Sequence, residues 1–123
     1  MSFPYLLSLP THGAPDNGWL AVAEGQDLPF PVRRAYWIFD VPAGQRRGRH
    51  THLTLEQLLI AVSGELRITV EIPEAERVSF VLSHPSQALY MPPGSWREIE
   101  FGTGAVLLSL ASQEYDEADY VRG

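Results

Sequence analysis

Residues 44–64 read G-Q-R-R-G-R-H-T-H-L-T-L-E-Q-L-L-I-A-V-S-G, and the prediction of the fold starts from them. They place His50 and His52 one residue apart. Because strand side chains alternate between two faces, both imidazoles should leave one strand on the same side. The apolar run that follows ends at Ser63-Gly64, which predicts a tight hairpin between residues 57–62 and 65–72.

Short apolar or alternating segments recur on both sides of these residues, separated by proline and glycine. They span residues 5–9, 19–24, 32–41, 78–82, 87–91, 96–101 and 105–111, and residues 11–18 look like a turn cluster. No segment shows the apolar period of an amphipathic helix. Nine or ten short strands at this spacing predict an all-β protein, a jelly-roll barrel, and the length predicts a single domain over residues 1–123.

The charges indicate an anionic small ligand rather than a nucleic acid. The net charge is −6, whereas a nucleic-acid-binding surface is basic. All nine basic residues are arginine, and five of them lie between Arg33 and Arg49, beside the histidines. The guanidinium fork suits carboxylates and phosphates, so these arginines either bind an anionic ligand or pair with the acidic side chains.

Other classes of protein are disfavoured by what the sequence lacks. It contains no cysteine, which excludes disulfides and thiolate chemistry. The first residues lack the basic region and long apolar core of a signal peptide. No apolar run approaches the ~18 residues that a membrane span needs. We therefore expect a cytoplasmic protein with no membrane partner.

The histidine region is similar to the first motif of the cupins, G-x5-H-x-H-x3–4-E-x6-G, which is followed by P-x-G-x2-H. Gln57 stands at the glutamate position and Arg97 at the last histidine position. Glutamine is a weak ligand, and arginine keeps its proton and cannot bind a metal. Glu56 lies one residue early and should point to the other face of its strand. His50 and His52 would then lack a third protein ligand, so we expect neither metal nor cofactor.

Two histidines without a metal fit the transfer of protons next to a carbonyl group. Imidazole has an ordinary pKa of ~6.5, so it can accept and return a proton near neutral pH. Rings that leave a strand two residues apart, ~6–7 Å, would reach adjacent carbons of one sugar.

The chain resembles the nucleotide-linked sugar 3,4-ketoisomerases, small cupin-fold enzymes that act on dTDP-4-keto-6-deoxyglucose. Six ordered blocks carry the resemblance: L-P-F (28–30), R-A-Y-W-I-F (34–39), R-R-G-R-H-T-H (46–52), Q-L-L-I-A-V-S-G (57–64), L-Y-M-P-P-G-S-W-R-E (89–98) and L-A-S-x2-Y-D-E-x-D-Y (110–120). It implies an isomerase that moves a ketone from C4 to C3 of the sugar through an enediol, without a metal. It also implies a homodimer with exchanged N-terminal strands, and an ordered C-terminal segment, packed at a subunit contact.

The resemblance also assigns the site. It implies that His50 and His52 are the catalytic pair. The expected substrate-binding residues are Tyr36, Arg34, Arg47, Gln57 and Arg97. Strict alternation would place Arg47 opposite His50, and a bulge at Gly48 would re-aim it.

Several alternatives stay open at this point. Tyr36 offers its phenol to the sugar or belongs to the core, and Gln57 binds the sugar, binds a histidine or is structural. Arg97 should point into the barrel, where its charge needs a carboxylate or a substrate phosphate. Tyr90 and Trp96 are expected in the core, with His12 and His84 in surface turns.

Two other functions compete with the isomerase. One is a non-catalytic module that binds a sugar nucleotide or another carbohydrate. The other is a metal-dependent cupin that uses His50, His52 and either Glu56 or Gln57 as ligands.

Overall fold

The structure is a computed structural model that describes residues 3–122, and in these residues nearly all regular structure is β. Its strands are β1 (Tyr5–Ser8), β2 (Thr11–Ala14), β3 (Gly18–Ala21), β4 (Arg34–Ile38), β5 (Arg46–His52), β6 (Gln57–Ser63), β7 (Leu66–Glu71), β8 (Arg77–Leu82), β9 (Gln87–Met91), β10 (Trp96–Phe101), β11 (Val106–Ala111) and β12 (Tyr120–Arg122). Two single turns of 3-10 helix, η1 (Gly25–Asp27) and η2 (Glu117–Asp119), complete the elements. The prediction of an all-β protein is confirmed. No helix within residues 3–122 has the length and apolar character needed to cross a membrane.

The strands form two five-stranded antiparallel sheets that pack face to face as a jelly roll. The first sheet has the order β1-β9-β6-β11-β4, and the second has the order β12-β5-β10-β7-β8. The strands β2 and β3 pair with each other as a separate hairpin. The histidine strand β5 therefore lies between β10 and the C-terminal strand β12.

The predicted hairpin at Ser63-Gly64 is wrong. Strand β6 pairs with β9 and β11 in the first sheet, whereas β7 pairs with β8 and β10 in the second. The turn carries the chain from one sheet to the other. Gly64 has φ of +68°, and a Cβ there would stand 2.7 Å from the Cα of Ala105. A glycine turn can join two strands of one hairpin or carry the chain from one sheet to the other. The strands with which β6 and β7 pair decide between the two.

Two short strands lie where none was predicted. The turn cluster at 11–18 contains β2, so His12, expected in a surface turn, is an exposed strand residue. Strand β12 lies in the acidic C-terminal segment and exists because it pairs with β5. Both segments have weak strand character of their own, and pairing partners supply what local preference lacks.

The apolar core fills most of the space between the two sheets. Side chains from both sheets bury each other there, with Leu66, Ile68, Leu82 and Phe101 fully excluded from solvent. A second apolar cluster lies on the outer face of the first sheet, where Phe30 packs near Ile60 and Tyr90. Tyr90 is thus buried as expected, but outside the barrel, and Trp96 is half-buried. One end of the inter-sheet space holds polar residues instead of apolar ones.

Candidate active site

Strand β5 brings the two predicted catalytic histidines into direct contact. Both rings leave the strand on the inner face, and their Nε2 atoms lie 2.9 Å apart. The ring centroids are 4.6 Å apart and the planes are nearly perpendicular. The expected separation of ~6–7 Å along a strand holds for the backbone, whereas these rings lean together. His50 is half-buried and His52 is 1% exposed, so the two form one hydrogen-bonded pair with only His50 near the surface.

A bulge next to the pair turns Arg47 to the inner face. Register is interrupted between Arg97 and Glu98 of β10, which lie opposite His50 and Gly48, so Arg49 is the extra residue. Gly48 has φ of +91° and Arg49 has φ of +59°, both in the left-handed region that bulges use. Arg47 consequently shares the inner face with His50, which is the bulged one of the two arrangements that the sequence left open, while the side chain of Arg49 pairs with Glu98 at 3.1 Å.

A cavity of about 270 Å³ opens beside His50 between the two sheets. Six of the seven predicted site residues line it: Arg34, Tyr36, Arg47, His50, Gln57 and Arg97. His52 lies behind His50 and does not reach the cavity. Apolar side chains such as Ile99 and Leu107 form the floor. The charged side chains of the wall include four arginines and no carboxylate, which matches an anionic ligand.

Gln57 is the centre of a buried polar network. Its amide nitrogen donates to the hydroxyl groups of Tyr36 and Ser109, each at 2.9 Å, and its Oε1 accepts from the guanidinium of Arg97. Both ends of the amide are therefore engaged, which fixes its orientation. Gln57 holds Tyr36 and Arg97 in place at the cavity wall.

Arg97 is a buried cation without a carboxylate partner. It is 2% exposed, and its Nε and Nη2 atoms donate to the carbonyl oxygen of Ser95 at 3.3 and 3.2 Å. Across residues 3–122, no Asp or Glu oxygen lies within 4.0 Å of it. Desolvation lowers the pKa of Arg97 to about 10, so it remains protonated at neutral pH. An anion bound in the cavity would meet an uncompensated positive charge.

Asp119 is a site residue that the predicted set did not include. Its Oδ1 accepts from the amide and hydroxyl groups of Thr54 at 2.8 and 2.7 Å, and its Oδ2 accepts from the amide of Leu55 at 3.2 Å. The same Oδ2 lies 3.5 Å from Nδ1 of His52. Burial alone would raise the pKa of Asp119, and these hydrogen bonds together with His52 bring it below the ordinary value. The carboxylate therefore stays ionised beside the inner histidine.

The C-terminal segment covers the histidine pair. Tyr120 is paired with His52 across β12 and β5, and its ring lies 4.3 Å from that of His52 and 4.9 Å from that of His50. The side chain of Arg122 adds a fourth arginine to the cavity wall. The guanidinium of Arg34 lies over the rings of Tyr36 and Tyr115. The segment is ordered, as the resemblance implied, and within this chain its contacts are with the site.

Both histidines are held in the neutral form. Desolvation, followed by the charge of Arg97 and by His50, lowers the pKa of His52 to about 4 against the opposing effect of Asp119. Desolvation also lowers the pKa of His50, with Arg97 and Arg122 acting in the same direction and the backbone of Gly48 opposing them. A neutral imidazole can accept a proton, so His50 is suited to act as a base.

Neither candidate for a third metal ligand offers a free oxygen to the pair. Glu56 points to the outer face of the first sheet, as predicted, and its carboxylate accepts from the hydroxyl of Tyr90 at 2.6 Å. Oε1 of Gln57 is occupied by Arg97. Among residues 3–122, no group of three His, Cys, Asp or Glu side chains is arranged to hold a metal ion.

Known proteins share this fold and much of this sequence. A TDP-4-oxo-6-deoxy-alpha-D-glucose-3,4-oxoisomerase of Aneurinibacillus thermoaerophilus is 36% identical over 104 residues, 84% of this chain and 74% of that protein. The sugar 3,4-ketoisomerase QdtA of Thermoanaerobacterium thermosaccharolyticum, solved with TDP, has a TM-score of 0.90 and 38% identity, covering 98% of this chain and 88% of that one. The TDP-quinovose 3,4-ketoisomerase WlaRB of Campylobacter jejuni has a TM-score of 0.91 and 34% identity, covering 100% and 95%.

These similarities confirm the resemblance and the cupin-type fold that the sequence predicted. The family described as "FdtA: WxcM-like, C-terminal" matches residues 4–123, which is nearly the whole chain. The matched range contains both histidines of β5 and the C-terminal segment that covers them. This protein belongs to the FdtA, WxcM-like C-terminal family.

Proposed function

We infer that this protein is a sugar-nucleotide 3,4-ketoisomerase, an isomerase that converts a TDP-4-keto-6-deoxyhexose to its 3-keto isomer. The observation that carries the inference is the neutral His50–His52 pair, of which His50 lines a cavity whose charged side chains are all arginines. The similar enzymes act on sugars linked to TDP, and a variant of QdtA has been solved with TDP-4-keto-6-deoxyglucose.

The chemistry needs two keto–enol tautomerisations, each with one proton removed and one added, and no external electron acceptor. His50 removes the proton from C3 while the C4 carbonyl oxygen gains a proton, which gives a C3–C4 enediol. The proton of the O3 hydroxyl then leaves as C4 gains a proton, which places the ketone at C3. Acid–base side chains are sufficient for these steps, and we propose that the enzyme works without a metal, with His50 and His52 as its catalytic pair.

Arg97 is placed to stabilise the charge that develops on the sugar. When the C3 proton leaves, negative charge moves toward the C4 oxygen, and a fixed cation in a water-poor site lowers the energy of that state. Arg97 lines the cavity, remains protonated and has no carboxylate within 4.0 Å in the described part of the chain. Tyr36, held by Gln57, offers a phenol to the same sugar.

The remaining arginines suit the diphosphate of the nucleotide. Arg47 and Arg122 are largely exposed at the cavity, and Arg34 is half-buried between two aromatic rings. Guanidinium groups bind phosphate oxygens through paired N–H donors. We assign Arg34 and Arg47, and with them Arg122, to substrate binding.

We also propose that the enzyme is a homodimer that exchanges N-terminal strands. The hairpin of β2 and β3 is separate from both sheets, and Trp19 and Leu20 are more than 60% exposed. Beside it, an apolar groove of about 890 Å³ runs along the outer face of the first sheet, lined by Ile60, Val62 and Leu108 among others. A second copy would cover both features.

Light scattering tests the dimer. The measured mass should be twice the chain mass for the wild type and should fall to the monomer mass in Trp19→Ser. A wild-type monomer at micromolar concentration would contradict the proposal.

Proton NMR in heavy water with TDP-4-keto-6-deoxyglucose tests the isomerase directly. We expect the C3 proton signal to disappear and a 3-keto species to accumulate, with the C4 configuration of the product read from its couplings. His50→Asn should lower the exchange rate by about 10²- to 10⁴-fold, the usual contribution of a general base. His84→Asn, which alters an exposed histidine far from the cavity, is the matched control.

The other outcomes distinguish the competing functions. Broadening of the ligand signals without exchange would identify a binding module. Exchange that persists in His50→Asn would remove His50 from the mechanism. Exchange that a chelator abolishes and one metal ion restores would favour the metal-dependent cupin.

A further inference from the structure

We propose that Asp119 is a positioning residue that holds the proton of His52 on Nδ1 and thereby sets the direction of the hydrogen bond between the two histidines. The proposal deepens the proposed function and rests on His50 being the base of that reaction. Four side chains lie in contact in a row, from Thr54 through Asp119 and His52 to His50.

The carboxylate of Asp119 is fixed in space before it meets the histidine. Three donors from Thr54 and Leu55 engage its two oxygens at 2.7 to 3.2 Å. The residue is 5% exposed, and the only basic side chain within 4.0 Å in the described chain is that of His52. A buried carboxylate that is anchored on three sides acts as a fixed negative charge toward its fourth neighbour.

That fixed charge selects the tautomer of His52. A neutral imidazole carries one N–H, on Nδ1 or on Nε2. Nδ1 lies 3.5 Å from Oδ2 of Asp119, longer than an ordinary hydrogen bond, and has no other partner among the described residues. A lone pair on Nδ1 would face a carboxylate, whereas an N–H there is attracted to it. The proton therefore resides on Nδ1, and Nε2 of His52 is an acceptor.

The tautomer of His52 then determines that of His50. The two Nε2 atoms are 2.9 Å apart, so exactly one proton lies between them when both rings are neutral. Because Nε2 of His52 accepts, His50 donates through its own Nε2–H. The free lone pair of His50 is consequently on Nδ1, so the ring takes its second proton there, and the backbone of Gly48 favours the protonated ring. Without Asp119, Nε2 of His52 can carry the proton instead and donate to Nε2 of His50.

The surrounding groups make Asp119 the favourable partner for an extra proton on His52, whereas the backbone of Gly48 favours one on His50. Arg97 from β10 and Arg122 from β12 both oppose a positive charge on His50, and Arg97 also opposes one on His52. Tyr120 packs against both rings. Asp119 is the carboxylate that offsets these arginines when the pair becomes an imidazolium.

The variant Asp119→Asn reverses this arrangement with a change of one atom. In the carboxylate, Oδ1 meets two donors of Thr54 while Oδ2 meets the single amide of Leu55 and the ring of His52. The amide nitrogen of asparagine therefore favours the Oδ2 position, where it faces Nδ1 of His52 as a donor. Nδ1 must then accept, and the proton of His52 moves to Nε2.

The experiment reads the tautomers by ¹⁵N NMR of histidine-labelled protein and the reaction by kcat and KM. We expect His52 in the Nδ1–H form in the wild type and in the Nε2–H form in Asp119→Asn. The same variant should lower kcat by about 10²- to 10⁴-fold with little change in KM, the range for a lost general base or a wrong imidazole tautomer. Glu114→Gln removes an exposed carboxylate from the same segment and should change neither readout.

Thr54→Val separates positioning from anchoring. It removes the 2.7 Å hydroxyl contact while the carboxylate and the backbone donors remain, so the protein should lose stability and keep the wild-type tautomer. An Nε2–H tautomer of His52 in the wild type would overturn the proposal, even if Asp119→Asn failed to fold. Unchanged tautomer and kcat in Asp119→Asn would also overturn it. A wild type that shows the expected tautomers without turnover would instead contradict the proposed function.

Discussion

The two ends of the space between the sheets are built from the same strands, but one end is apolar and the other is polar. At one end, β6, β10 and β11 point Ala61, Phe101 and Leu107 inward, and these side chains are packed in the apolar core. At the other end, the same strands point inward a set of buried polar residues, Gln57, Arg97 and Ser109. The cavity lies where the two ends meet.

Buried side chains therefore stabilise the fold at the apolar end, whereas at the polar end buried groups are held in place to meet a ligand. An apolar side chain gains free energy when it leaves water, whereas a buried polar group gains little and must find partners. At the polar end, hydrogen bonds satisfy Gln57, and the charge of Arg97 is left for a ligand. Substitutions at the two ends should therefore separate stability from activity.

The largest effect on stability is expected at the apolar end. Ile68 is fully buried on β7, and Ile68→Ala should lower the free energy of unfolding by about 2–5 kcal/mol because it leaves a cavity in the core. Urea denaturation measures the change. Val81→Ala on the neighbouring strand, at a 40% exposed position, should cost less than about 0.5 kcal/mol. A changed kcat in folded Ile68→Ala would break the separation of the two ends.

Arg97→Met should show the opposite pattern at the polar end. We expect kcat to fall by about 10²- to 10³-fold through loss of the cation at the developing oxyanion. The free energy of unfolding should stay within about 2 kcal/mol of the wild type, since removing a desolvated charge offsets the lost hydrogen bonds to Gln57 and Ser95.

The same variant should also change the titration of the histidines. Arg97 lowers the pKa of His50 and of His52, so both pKa values should rise in Arg97→Met, as followed by NMR. Arg67→Met, which removes an exposed arginine from β7, is the control for lost charge. Unchanged histidine titration would mean that the guanidinium does not act on the pair.

The smallest effect is a dependence of stability on pH that arises at the polar end. The pKa of His52 is about 4 in the folded protein and ~6.5 when unfolded, so between these values the unfolded chain binds more protons. Stability is therefore fully present above pH ~6.5 and decreases as the pH falls toward 4. Denaturation at several pH values should show this slope, shallower in His52→Asn and unchanged in His84→Asn. A flat wild-type curve would contradict a neutral, buried His52.

Much of the site follows from local patterns. Alternation along β5 predicts that His50 and His52 share a face, and the similarity to the two cupin motifs implies that Gln57 and Arg97 point inward. A glycine one residue before Arg49 indicates the bulge that turns Arg47 inward. The shared face of the histidines and the bulge depend on residues close together in the chain, where backbone geometry alone relates one side chain to the next.

Other parts of the site depend on pairing between distant segments. Asp119 meets Thr54 across 65 residues of chain, and nothing in the spacing of the two indicates their contact. The same holds for Tyr120, which reaches the histidines only because β12 pairs with β5. A usable signal was the D-Y pair at 119–120 within the last block of the family resemblance, which marks an ordered segment without saying what it touches.

The amino-acid sequence alone was sufficient for the all-β class, the strand that carries the histidines, and the replacement of two metal ligands by Gln57 and Arg97. Tertiary structure decided that the turn at Gly64 crosses between sheets, that the two imidazoles touch, and that Asp119 stands behind them. The physical reason is that side-chain direction is a local property with a period of two residues. Strand pairing and the contact between the two rings depend instead on which distant segments pack together. Those contacts form only when the whole chain folds.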